Sequence, residues 1–188
     1  HASNSFTVAG DWTNNGIFTA NSGIVTLNGT ATQLMLGTMT GTSAFYSLTI
    51  TNSSGASSTD CERTGFIASV DFGAAASSTG TYTIITPNVM VEYNTGSTYT
   101  FTNINWAGTA DNLIYFRNSD AVSTWLLSVS GTQTAVSYVN VSRSNASYGN
   151  EIDADDGTNT DCGNNTNWNF AVPSISFDIS ANSLNLGN

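Results

Sequence analysis

The chain predicts an all-β fold, most simply a parallel β-solenoid, and three features point there. Apolar residues recur at period two with no 3.6-residue stripe. β-branched and aromatic residues are frequent while Leu, Glu, Gln and Lys are scarce, and short apolar runs are separated by Gly, Asn, Asp and Ser turns. Many short strands in 188 residues fit either stacked parallel rungs or an antiparallel sandwich or jelly roll, and periodicity near the N-terminus favours the rungs.

Strands are expected at 6–8, 17–20, 24–27, 33–36 and 45–51, each a short alternating run closed by a polar turn. The turns Asn14-Asn15-Gly16, Ser22-Gly23 and Asn28-Gly29 separate the first of them. Further strands are expected at 66–72, 82–85, 89–93, 99–104 and 113–116, with Asn94-Thr95-Gly96 as a turn among them, and then at 125–129, 135–141 and 175–179. Gly16-Ile17-Phe18-Thr19-Ala20-Asn21 is answered by Gly23-Ile24-Val25-Thr26-Leu27-Asn28, a repeat of seven residues. Each unit is an apolar tooth closed by an Asn or Gly corner, residues that tolerate left-handed backbone angles. A plain β-hairpin reads the same Asn-Gly signal.

The organisation expected is a β domain over 1–172 followed by a C-terminal strand over 173–188. In that strand Ile175, Phe177 and Ile179 alternate with polar residues, and Leu184 and Leu186 resume the apolar face after a phase slip at Asn182 and Ser183. Val172-Pro173 supplies a hinge, since proline ends strand pairing and extends the residue before it. An amphipathic strand needs a partner for its apolar face and its backbone groups. The five apolar residues are therefore expected to be buried either by their own chain or at a subunit interface.

Thirteen acids face three scattered arginines, Arg63, Arg117 and Arg143, there is no lysine, and the net charge is -10. That balance disfavours nucleic acid and anionic membrane surfaces as partners, and no apolar run is long enough to span a membrane. Charged residues make up only 9% of the chain, so Ser, Thr and Asn supply the polar skin, a composition common on cell surfaces. A chain beginning at His1 reads as a processed, secreted product. Cys61 and Cys162 are the only cysteines and are expected to form one disulfide.

Two N-terminal stretches and one C-terminal stretch carry a resemblance. Phe6 to Thr30, with Ala9-Gly10-Asp11-Trp12-Thr13-Asn14-Asn15-Gly16, Phe18-Thr19-Ala20 and Val25-Thr26-Leu27-Asn28-Gly29, resembles the repeats of secreted bacterial and archaeal surface proteins with a right-handed parallel β-helix. Phe45 to Gly55 is similar to the rung that follows those repeats, and Val136 to Phe170, with Tyr138-Val139-Asn140-Val141, Gly163-Asn164-Asn165 and Trp168-Asn169-Phe170, resembles their closing rungs. The resemblance implies a right-handed β-helix, surface location, and adhesion or scaffolding.

The acidic run Glu151, Asp153, Asp155, Asp156 and Asp161 is a candidate calcium site, because closely spaced carboxylates on a loop can converge on a hard cation; a solvated polar loop is the plainer reading. Sequons place candidate glycosylation at Asn28, Asn52, Asn140, Asn145 and Asn164. Trp12, Trp106, Trp125 and Trp168 read first as core and second as a sugar-stacking face. With a lone histidine, no lysine and acids mainly in one loop, the catalytic inventory is poor and no enzyme is expected. The function expected is a structural subunit of an extracellular filament or surface assembly that polymerises with copies of itself, the C-terminal strand adding to a neighbour. The alternative is an adhesin or carbohydrate-binding module that meets surface glycans.

Overall fold

The computed structural model describes residues 4–57, 61, 63–120 and 122–171, so the strand expected at 175–179 and the interface candidates Ile175, Phe177, Ile179, Leu184 and Leu186 lie outside the described residues. The described residues are all-β apart from one 3₁₀ turn at Gly41–Ser43. Its N-terminal strands are β1 (Phe6–Val8), β2 (Trp12–Asn14), β3 (Ile24–Leu27), β4 (Gln33–Gly37), β5 (Ser47–Ile50) and β6 (Val70–Phe72). The middle holds β7 (Ser77–Ile84), β8 (Met90–Tyr93), β9 (Thr98–Ala107), β10 (Ile114–Asn118) and β11 (Trp125–Val129). The last part is β12 (Gln133–Ser137), β13 (Val139–Val141), β14 (Ser144–Asn145), β15 (Ile152–Ala154), β16 (Thr160–Asp161) and β17 (Trp168–Phe170).

All of these strands pair in parallel, and as far as β11 consecutive strands go to different sheets. One sheet runs β1-β3-β5-β7-β9-β11-β14 with β12 also on β9, the other runs β2-β4-β6-β8-β10-β13-β16, and β15 pairs β17. This excludes the antiparallel sandwich: antiparallel contacts among the described residues are the isolated bridges Ala56↔Ile67 and Thr109↔Asn112. Strand β9 is long enough to serve two successors, pairing β11 through Thr98 to Phe101 and β12 through Ile104 to Ala107.

Register turns period-two alternation into rows. Val25, Leu48, Tyr82 and Ile104 lie opposite one another across four strands of the first sheet. Trp12, Met35, Phe72 and Tyr93 do so across the second, as do Val70, Val91, Phe116 and Val141. All but Trp12 are fully buried or nearly so, each worth roughly 1.5–3 kcal/mol if a full aliphatic or aromatic side chain leaves water. Aromatic contacts tie the rows together: Phe72 stacks on Tyr93 at 5.6 Å, Tyr93 on Trp125 at 4.1 Å, and Trp106 meets Phe116 edge-on at 4.8 Å. The hydroxyls of the three fully buried tyrosines are satisfied, Tyr82 with Tyr93 at 3.2 Å and Tyr99 donating to the Phe72 carbonyl at 2.9 Å, whereas Ser78 Oγ is buried without a partner among the described residues.

Several expectations need correction. Residues 17–20 form no strand, and Ile17 is 81% exposed while Phe18 turns back onto Trp12. The run 135–141 is two strands in different sheets, broken at Tyr138, whose φ of +53° turns the chain from one sheet to the other. Of 66–72 only Val70–Phe72 is strand. Asn corners do adopt the left-handed region at Asn21, Asn88, Asn164 and Asn167, but Asn28 does not.

Gly37 closes β4 at φ +82°, and a Cβ there would strike the backbone of Asn14. Gly37→Ala is expected to cost at least about 1–2 kcal/mol by denaturant unfolding, because left-handed strain and the clash add; an unchanged midpoint would contradict this register of β2 on β4.

Candidate functional site

The outward row of the second sheet departs from an ordinary exposed face. Asp71 pairs with Glu92 and Glu92 with Arg117, all on the face opposite the core. Strand β10 is nevertheless buried at all five positions, inward and outward alike. The reason is the excursion between β5 and β6, which is closed by backbone bonds between Ala56 and Ile67 at 2.7 and 2.9 Å. Its Phe66 ring lies 5.9 Å from the Arg117 guanidinium, and Arg63 reaches Glu92 at 2.7 Å and donates to the Asn118 carbonyl. Cys61 is joined to Cys162, just past β16, across a sequence separation of 101 residues. The bridge fastens the excursion over the sheet.

Beneath this cover is a cavity of about 170 Å³ lined by Cys61, Arg63, Arg117, Asn118, Arg143 and Cys162, with Ser142 and Asn164 completing the wall. All three cations of the chain therefore meet in one place. Arg117 is 1% exposed; Nη1 donates to the Phe116 and Asn140 carbonyls at 3.0 Å and Nη2 to Asn140 Oδ1 at 2.6 Å. Its Nε is buried with no acceptor, and no carboxylate pairs with it among the described residues. The Tyr115 ring lies 5.6 Å from the guanidinium. Arg143, held at φ +57°, donates through Nη1 to the Val122 carbonyl at 2.7 Å, and it too has no carboxylate partner among the described residues.

Electrostatics follow from this burial. Desolvation lowers the Arg117 pKa to about 10, with the neighbouring Arg63 charge pushing the same way. Burial also raises Asp71 and Glu92 above the usual carboxylate range, although Arg63 opposes the rise at both.

The acidic run does not gather into a metal centre: among the described residues no group of three or more His, Cys, Asp or Glu could hold an ion. Asp156 Oδ1 accepts from Thr158 N at 2.9 Å and Asn159 Nδ2 at 2.9 Å, and Asp161 Oδ1 accepts from Gly163 N at 2.8 Å and Asn165 Nδ2 at 2.7 Å. Those carboxylates close turns. The Asp155 pKa is raised, chiefly by its side-chain hydrogen bond with Asp153 and by the charge of that neighbour. Glu151 contributes its backbone carbonyl, which accepts from Gln133 Nε2 at 2.6 Å.

Of the sequons, Asn28, Asn145 and Asn164 remain at least partly exposed. Asn52 and Asn140 are not presented by the folded chain. Asn52 is 1% exposed and donates to the Ala31 and Ser69 carbonyls, and Asn140 is 4% exposed and holds Arg117. Trp106 and Trp125 are fully buried and Trp12 and Trp168 partly so, which makes the tryptophans core residues. The arginine cavity was not visible in sequence; the available signal was that Arg63 stands two residues from Cys61.

No family model, curated protein or solved structure matches the chain.

Two outcomes are expected. Replacing both cysteines (Cys61→Ala with Cys162→Ala) should lower unfolding free energy by roughly 4–5 kcal/mol on the chain-entropy account, measured against oxidised wild type; equal stability would contradict a bridge that fastens the cover. In the second, Asp71→Asn is compared with wild type by denaturant unfolding between pH 8 and 3. Because the folded pKa of Asp71 is raised, the native state binds more protons than the unfolded one in that window. Wild type should gain stability relative to the variant as pH falls through the folded value, the gain being complete below the ordinary 3.8.

Proposed function

We propose that the chain is a right-handed parallel β-helix that serves as a structural subunit of an extracellular filament or surface assembly. The observation that carries this is the open first rung. Strands β1 and β2 stand at the ends of their sheets, each paired on one side among the described residues. Between them lies an incompletely covered aromatic cluster, with Phe6 41% exposed, Phe6 to Trp12 at 6.4 Å and Trp12 to Phe18 at 5.0 Å. Unpaired edge groups beside apolar rings form a template for an added strand. Parallel crossovers back to the same sheet are right-handed in about 98% of cases, which supports the handedness. A disulfide suits an oxidising exterior, and the charge-poor polar surface fits there too.

In this reading the amphipathic segment bearing Ile175, Phe177, Ile179, Leu184 and Leu186 adds to the open rung of the next copy. A head-to-tail contact of that kind grows a fibre unless its rotation closes a ring. Deleting residues 174–188 is expected to leave a folded monomer that no longer assembles, by light scattering after size exclusion and by negative-stain imaging. Unfolding of the truncated chain, or unchanged assembly, would sink the donated-strand mechanism.

A further inference from the structure

The cavity beneath the Cys61–Cys162 bridge concentrates positive charge in a chain of net charge -10. Thirteen acids are available, yet Glu92 is the only carboxylate in contact with any of the three guanidiniums among the described residues. Arg117 is held by two carbonyls and one amide oxygen, which orient it without neutralising it. A buried cation without a counter-charge is costly, and clustering it with like charges adds to the cost. Arg143 keeps its Nη2 and Nε donors without an acceptor among the described residues, and the Asn118, Ser142 and Asn164 side chains add neutral polar groups to the wall.

We propose that this cavity binds one oxyanionic group, a sulfate, phosphate or carboxylate, hydrogen-bonded by Arg143 and Arg63 in the field of buried Arg117. The cavity has the volume of several waters at roughly 30 Å³ each, which suits a compact group. Guanidinium N–H donors arranged around an oxygen anion form charge-assisted bonds, the strongest polar contacts open to this chain. A polyanion is disfavoured, because beyond the three arginines every ionised side chain of the chain is an acid. The ligand is therefore a free small oxyanion or a single acidic group on an otherwise neutral molecule such as a sugar.

The chain has three arginines and no lysine, so selective ¹⁵N-arginine labelling resolves each site as one Nε–Hε signal. The folded, disulfide-bonded protein is titrated at constant ionic strength with sodium sulfate, sodium phosphate and sodium glucuronate, each against sodium chloride. The expected result is a saturable shift of the Arg143 and Arg63 signals with at least one oxyanion and not with chloride. Tighter binding of sulfate or phosphate identifies a free tetrahedral ion, and tighter binding of glucuronate identifies a sugar acid. Arg143→Gln, with its fold checked by the unchanged Arg117 signal before ligand is added, should weaken binding about tenfold. Shifts that match chloride, or undiminished affinity in Arg143→Gln, would overturn the proposal. Asp60 and Glu62 flank Cys61 and lie outside the described residues; binding that appears only after Asp60→Asn with Glu62→Gln would show that the chain supplies its own anion and would overturn it too.

Discussion

Parallel register is the constraint on which the rest of this structure depends. A strand's side chains alternate strictly, so the pairing of Val91 with Phe116 fixes at once that Glu92 meets Arg117 on the opposite face. A slip of one residue would carry the aromatic rows to the surface and the acidic and basic row into the core. The cost of that exchange, many buried aromatics against several unsolvated charges, holds the register without any dedicated locking device.

The same register creates a difficulty that the fold resolves locally. Asp71, Glu92 and Arg117 would sit on an ordinary solvated face were it not for the excursion carrying Cys61, Arg63 and Phe66. Once covered, the row loses water and its carboxylates become harder to ionise, while Arg117 becomes easier to deprotonate. Arg63 compensates one of the acids directly. The disulfide then shifts the balance by restricting the unfolded chain, which lets an electrostatically strained surface stay closed.

Much of the fold was legible where burial falls on a single face. Ile24–Leu27 and Trp125–Val129 match the expected strands because their alternation is uninterrupted and both lie within a continuous row. Residues 17–20 imitate Ile24–Leu27 in sequence, yet a seven-residue offset is too short to return the chain to the same sheet, and the segment becomes a corner. Strand Ile152–Ala154 was hidden by its own acids: Ile152 and Ala154 are buried while Asp153 points out, so a two-residue apolar signal was outvoted by the surrounding charge. The disulfide was readable from a count of two cysteines. The arginine cavity was not, since Arg63, Arg117 and Arg143 come together only through pairings that span tens of residues.

Each strand of the second sheet pairs in parallel with the strand two or more places on, in the register that sets Val70 opposite Val91, Phe116 and Val141. Interstrand nuclear Overhauser effects between backbone amide and α protons test it most directly. The expected contacts link β6 to β8, β8 to β10 and β10 to β13 in the staggered pattern of parallel strands. Close α-proton pairs between successive strands such as β8 and β9, the mark of antiparallel hairpins, would contradict it.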